Sequence, residues 1–489
     1  MLYRHTKADH RTRRDRWSKT EKRRGKSVQS SYYWSGSTNA NNTNNAWNVN
    51  MNNGNVNNNN KTNSYYVWPV RSGEWEASPR VLFPELYQSY YRCRRMKRST
   101  LNALRFEAHG EVNLYALAEE LANGTYTPSR SIRFAVDRPK LREIVAADFR
   151  DRIVHHYLVE RLEKIYEPIF IHDSYACRSG KGVHAALQRV RDFMRSGTKN
   201  GTVPLSALHL DVKNYFTSID KRILSQLIEN RLVKEARVSD SSPEGGIKGN
   251  LQFLNALTKT MLIHDPMEHR IDKGDARLLA AVPPHKSLLN APRGVGLPVG
   301  NLTSQFFANV YLNELDQYCK HTLKCRYYVR YCDDFLILDN DPARLDGLRD
   351  NIRTFLAEKL RLQLNTRYAA ITDVRNGIDF IGYIIRPDYV LVRRRSVNNL
   401  CQRLDVFKRE NIRVHVDGLL SISRDKQKID HLRGVLASYY GHFKWADTMR
   451  LRRSLFKKYG WLNALFRLDS MTMPRLKKDS KSVAVAKKA

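Results

Sequence analysis

A chain of 489 residues with 42% hydrophobic content can bury a core of domain size, which excludes a wholly disordered protein. Its 84 Lys and Arg against 49 Asp and Glu leave a net charge of +35, so a polyanionic partner, nucleic acid before membrane, is expected. No run approaches the ~18 apolar residues of a membrane span; the N-terminus lacks the apolar core of a secretion signal, and the six cysteines form neither a CxxC pair nor a disulfide framework, so a cytoplasmic protein is expected.

Residues 1–75 combine a basic stretch, "RTRRDRWSKTEKRRGK", with a tract in which 15 of the 25 residues from Asn39 to Asn63 are asparagine. They have almost no helical periodicity and are predicted to form a disordered, low-complexity extension. Composition changes near Trp75. Apolar residues then recur every three or four positions in "PELYQSYYRCRRMKRSTLNALRFE", "LYALAEELANG" and "FRDRIVHHYLVERLEKIY", which predicts helices. "ALHLDVKNYF" reads as a strand, "SSPEGGIKGN" as a loop and "LQFLNALTKTMLIHD" as a helix. "PRGVGLPVGN" reads as a glycine-rich turn opening the helix "LTSQFFANVYLNELDQYC". "CRYYVRYCDDFLILDN" follows, two β-rich runs around paired aspartates. Beyond Arg393 the chain is helical and basic, and it ends in a tail predicted to be disordered.

Asp333 and Asp334 are expected at the tip of a hairpin, because strands rich in Tyr, Val, Phe, Ile and Leu flank them. Two carboxylates at about 4 Å repel by roughly 4 kcal/mol at an effective dielectric near 20, so a cation is needed there. Magnesium suits carboxylates combined with substrate phosphates. Asp211, delivered by "ALHL", is a third candidate. Three such aspartates on neighbouring strands could hold two ions about 4 Å apart for an in-line phosphoryl transfer. Taken singly, the paired aspartates also suit a solvated turn, and Asp211 also suits a helix cap.

The ordered set "KLREIVAADFRDRIVHHYL", "DSYACRSGKGVHAAL", "DVKNYF", "GLPVGNLTSQFFANVYLNELD", "YCDD" and "FIGY" resembles the reverse transcriptases of bacterial retroelements, from about Val81 to about Trp461. The resemblance implies an α+β right-hand polymerase: N-terminal helices and fingers over 76–205, a palm with an antiparallel sheet over 206–392, a finger insertion at about 230–292, a helical thumb over 393–470 and a basic tail over 471–489. It implies an RNA-directed DNA polymerase in which Asp211 and Asp333 hold two Mg2+ ions, or Mn2+ in their place, with Asp334 supporting the second and Val212 adjoining the first. By the same resemblance Lys140 and Arg142 grip the triphosphate, and Phe216 excludes a ribose 2′-hydroxyl. Val299 and Gly300 lie at the nascent base pair. Arg178, Lys181, Ser304 and Gln305 contact the template, while Phe380, Gly382 and Tyr383 form the primer grip. Read without it, Lys140 and Arg142 also suit surface ion pairs, Phe216 a core position, and the C-terminal helices a plain helical subdomain.

Two positions depart from the common pattern. Where many such enzymes carry glutamine before the glycine and proline after the serine, this chain has Val299 and Gln305. That combination, with "HKSLLNAPRGVGLPVGNLTSQ", is similar to the reverse transcriptases of diversity-generating retroelements, bacterial or phage-encoded, which copy a template-repeat RNA with errors at adenines. An aliphatic side chain in place of an amide removes hydrogen bonds at the nascent pair. Implied partners are the template-repeat RNA, the RNA–DNA hybrid, deoxynucleotides and a small basic accessory variability protein. Asparagine codons begin with two adenines, so residues up to about Arg71, similar to the end of a C-type-lectin-like variable protein, read as a translated template repeat; a prion-like disordered arm is the other reading. Translation would then start at Met51, Met96 or a non-AUG codon near Val81. In the second departure, Arg367 stands where a lysine often serves as general acid, and a guanidinium is a weak acid. A group II intron-like or retron-type enzyme without a mutagenic role is the alternative. A lectin module alone is too short, a dead polymerase fold would lack an aspartate, and no RNase H domain is expected.

Overall fold

The structure, a computed structural model, describes residues 78–467 apart from short gaps at 96, 98, 139, 240–246, 366–368, 416–419 and 424, together with strands between 32 and 67 and a pair at 475–476. The chain divides into two compact units, residues 1–76 with 238–249 and residues 77–237 with 250–489.

In the first unit, strands occur within residues 32–67, inside the segment whose composition predicts a low-complexity extension. Tyr32–Asn39, Asn42–Asn50, Val56–Asn60 and Tyr66–Val67 form a four-stranded sheet in which the first strand lies between the second and fourth. A β-ladder is built from backbone N–H and C=O groups, which asparagine supplies as fully as any residue. The register also places Tyr66, Tyr33, Val49 and Val56 in one row across the sheet, residue types that favour strands. A low-complexity reading of the tract counts its asparagines and overlooks this row.

The second unit is organised on an antiparallel sheet with strand order Ile371–Asp373, Ser206–Asp211, Asp334–Asp339, Tyr327–Tyr331. Both faces of its longer strands carry buried residues: Ala207, Val329, Leu336 and Leu338 on one side, Leu208, Leu210, Phe335 and Ile337 on the other. Burial on both faces is why these runs read as almost continuously apolar. The first set packs into a cluster with Ala186, Val190 and Met194 of helix Val183–Gly197 and with the C-terminal helices. Helix Pro342–Leu360, capped by Asp341, lies against the same strands.

Helix Leu302–Gln317 is buried nearly all round and packs on Phe149–Tyr166, which in turn packs on Pro79–Arg94. The long helix predicted from Pro84 to Glu107 is two helices, Pro79–Arg94 and Leu101–Glu107, because Arg95 and Thr100 adopt extended backbone between them. A small sheet pairs Ile132–Val136 with Arg142–Ala146 and, in parallel, with Ile271–Asp272. The predicted insertion boundary at 230 falls inside helix Lys221–Ser239, and Phe216 sits on the helical turn Tyr215–Ser218 rather than on a strand. The C-terminal part is helical, as predicted: Arg394–Asn411, Lys426–Phe443 and Met449–Lys458. Arg475–Leu476, within the predicted disordered tail, pairs instead with Phe466–Arg467, and residues 477–489 lie outside the described residues. So do Met51, Met96 and Arg367.

Candidate active site

The register of the central strands sets Asp334 directly opposite Asp211. Between Tyr331 and Asp334 the chain turns through Cys332, whose φ of 59° lies in the left-handed region. The Val212 N–H donates to the Asp333 carbonyl at 3.2 Å, closing the two chain segments together. The three predicted aspartates therefore stand at one end of two adjacent strands. Asn365 holds Asp211 twice, its side-chain amide donating to Oδ2 at 2.9 Å and its backbone N–H to the carbonyl at 2.8 Å. Burial pushes the Asp333 carboxyl up to about 6, and the charge of Asp211 adds to the effect. Burial also raises Asp211, against the hydrogen bond from Asn365 and with the charge of Asp334. The Asp334 carboxylate is bonded to His209 Nε2, and the His209 ring stands edge-on to Phe380 at 5.7 Å between centroids.

Donors made only of carboxylate oxygen suit a hard divalent cation. Burial, the main cause of the upward shifts of Asp333 and Asp211, disfavours their charged forms, and a divalent cation beside them would favour those forms again, so these residues fit magnesium. Among the described residues no group of three His, Cys, Asp or Glu side chains is arranged to hold a metal ion.

Lys140 and Arg142 are exposed and form no ion pair among the described residues, and the charge of Lys140 reaches Asp211. The backbone of "GLPVGN" is fastened to the strand that carries Arg142 and to Phe216. The Val145 N–H donates to the Val299 carbonyl at 2.8 Å, the Ala147 N–H to Asn301 Oδ1 at 2.9 Å, and the Leu297 N–H to the Phe216 carbonyl at 2.7 Å. Gly300 has φ +126°, and a Cβ there would meet Ile144 Cγ2 at 2.8 Å. Val299 and Phe216 are half-buried, Ser304 is buried and Gln305 exposed. The ring of Phe216 packs edge-on to Tyr215 rather than in a core layer.

Arg178 and Lys181 differ in fate. The Arg178 guanidinium donates to both Glu167 oxygens and to the carbonyls of Ile171 and Ser174, so it folds the loop rather than facing outward. Lys181 is half-buried, its ammonium donating to the His172 carbonyl at 2.9 Å and lying 5.0 Å from the centre of the Tyr175 ring. Phe380 and Tyr383 pair across a two-residue turn in which Ile381 and Gly382 both have positive φ, 45° and 97°. The Tyr383 hydroxyl donates to the His442 carbonyl at 3.0 Å, which docks this hairpin on the end of helix Lys426–Phe443.

Several site residues escape a motif reading. Asn365 lies in "LQLN", two residues before Arg367. His209 precedes Asp211 by two residues, so the strand period puts both on one face. That spacing was the available signal.

The chain is similar to several known proteins. The chain is 26% identical over 331 residues to protein YkfC of Escherichia coli, covering 60% of the chain and 75% of the relative. It is 24% identical to the group II intron-encoded protein LtrA of Lactococcus lactis subsp. cremoris, covering 63% and 56%. Nuclear intron maturase 4 of Arabidopsis thaliana shares 26% over 48% of the chain and 24% of the relative. Such relatives support a reverse transcriptase. The chain is an enzyme of the RNA-directed DNA polymerase class. The polymerase spans little more than half of LtrA, so its particular template, primer and partners belong to the proposal below. A family model described as the Lcl C-terminal domain matches residues 4–71. Among solved structures, the polymerase resembles telomerase from Candida albicans in complex with a fragment of telomeric RNA, at 14% identity and a TM-score of 0.37 over 68% of the chain and 58% of that one. No helix among the described residues is long and apolar enough to cross a membrane.

Proposed function

We propose that this chain is the reverse transcriptase of a diversity-generating retroelement, copying a template-repeat RNA into cDNA with errors directed to adenines. The observation that carries the mutagenic part is Val299, held by its carbonyl beside strand Arg142–Ala146 where an amide side chain would otherwise meet the nascent pair. The match of residues 4–71 to the Lcl C-terminal domain, together with the asparagine tract, supports reading the first unit as a translated relative of the diversified sequence.

In this reading Asp211, Asp333 and Asp334 hold two Mg2+ ions, with Val212 adjoining; the ions supply neutralisation of the charge that develops on the transferred phosphate. Lys140 and Arg142 draw in and orient the triphosphate. Phe216 lies under the incoming sugar and excludes a 2′-hydroxyl. Val299 and Gly300 shape the pair without judging it by hydrogen bonds. Lys181, Ser304 and Gln305 line the template, and Phe380, Gly382 and Tyr383 seat the primer end. A small basic accessory protein would share the RNA.

The test is Val299→Gln. Misincorporation opposite adenine, measured by sequencing cDNA made on a template-repeat RNA, is expected to fall several-fold. An unchanged error spectrum would favour the second reading, a group II intron-like or retron-type enzyme without a mutagenic role, which the kinship with LtrA supports. Asp333→Ala is expected to abolish deoxynucleotide incorporation while RNA binding persists.

A further inference from the structure

Beneath the paired aspartates lies a charged side chain that no catalytic role has absorbed. Arg330 and Asp316 are both fully buried. All five N–H donors of the guanidinium are taken. Nε donates to Asp316 Oδ1 at 2.7 Å and Nη2 to Asp316 Oδ2 at 2.6 Å, a bidentate pair, and the Tyr328 hydroxyl donates to Asp316 Oδ1 at 2.7 Å as well. Nη2 also reaches Ser174 Oγ at 3.0 Å, while Nη1 donates to Asn309 Oδ1 at 3.2 Å and to the Cys332 carbonyl at 2.9 Å.

These acceptors come from three separate places. Asp316 and Asn309 belong to helix Leu302–Gln317, which begins two residues after Gly300. Ser174 belongs to the segment leading to Arg178 and Lys181, and Asn309 also donates to the Ala176 carbonyl of that segment at 2.8 Å. Cys332 is the left-handed residue immediately before Asp333. A cysteine in that conformation carries steric strain that its surroundings must override. The donation from Arg330 to the Cys332 carbonyl fixes the peptide that joins Cys332 to Asp333.

We propose that Arg330 is a positioning residue for the metal-binding aspartates, holding the Cys332–Asp333 peptide in place and tying it to the template-side segment through Ser174 and Asn309. The proposal rests on the metal-site reading given above. Lysine keeps the charge at this position and cannot reproduce a planar fork with five directed donors. Loss of groups that orient metal ligands commonly weakens metal affinity about 10- to 100-fold.

The experiment is Mn2+ binding to the nucleic-acid-free protein, read by electron paramagnetic resonance, alongside steady-state kinetics and thermal melting. Arg330→Lys is expected to weaken Mn2+ binding at least about tenfold, with kcat falling in parallel and the deoxynucleotide KM nearly unchanged. A purely structural role would lower the melting temperature and leave the Mn2+ affinity of the folded fraction as in the parent; that result overturns the proposal. Asn309→Ala and Ser174→Ala each remove one acceptor and serve if Arg330→Lys does not fold. Both are expected to weaken Mn2+ binding in the same direction by a smaller factor, and parent-like affinity in both would also overturn it. Asp333→Ala separates the two readings: parent-like Mn2+ binding and synthesis in that variant would remove the metal site itself.

Discussion

At the scale of single residues, Asp333 links electrostatics to measurable stability. Its carboxyl is pushed up to about 6 in the folded protein, above the ordinary value near 4. The folded state therefore holds that proton more tightly than the unfolded state, so the destabilisation is absent below pH 4 and grows as pH rises through 6. Asp333→Asn is expected to stabilise the metal-free protein at pH 8 by on the order of 2 kcal/mol, a gain that disappears towards pH 4. Urea titrations at the two pH values, with chelator present, check this. In the proposed metal site the dependence on magnesium would run the opposite way, because the proton and the cation would compete for one carboxylate. Below pH 6 more metal is then expected to be needed for the same rate. The paired aspartates and Asp211 were legible in the sequence because apolar strands deliver them. Asn365, His209 and Arg330 were not, since each acts through a contact between segments distant in the chain.

At the scale of elements, "GLPVGN" and "FIGY" are fixed by backbone conformation. Gly300→Ala meets two obstacles at once, a φ of +126° and Ile144 Cγ2 at 2.8 Å. It is expected to cost about 2 kcal/mol or more and to raise the deoxynucleotide KM, measured by melting and by single-nucleotide extension. A Gly300→Ala variant with parent stability would mean that the turn relaxes freely. Three of the four strands of the central sheet were legible in their apolar runs, though the run ending at Asp211 was extended too far, to Phe216; the short strand Ile371–Asp373 was not. The "FIGY" turn was recognised only by family pattern, because an Ile with φ 45° is contrary to its β-branched preference. The break near Arg95 was missed because apolar spacing continues across it. Periodicity reports which face is buried, and says little about whether one helix or two present that face.

At the scale of the whole molecule, a charge of +35 predicts strong dependence of RNA binding on salt. Affinity is expected to fall at least about tenfold between 50 and 200 mM salt, as filter binding would measure, and a flat response would refute an electrostatic footprint. The second unit has its own core, with the sheet and C-terminal helices sharing one cluster. A chain of residues 77–489 is accordingly expected to retain primer extension; complete loss would assign the first unit a part in catalysis. The asparagine tract marks the limit of composition as a guide. Its strands arise from ladder pairing that no residue count records.

One further consequence follows from the segment around Ser174. Tyr327–Tyr331 is an outer strand of the central sheet, and such strands offer unpaired backbone groups to any passing chain. Here the Arg330 N–H donates to the Asp173 carbonyl and the Tyr175 N–H to the Arg330 carbonyl, a short parallel bridge laid along that strand. The loop that supplies Ser174 to the Arg330 guanidinium thus also covers the outward backbone of Arg330 itself. A neighbouring chain that paired along this rim would first have to displace that bridge.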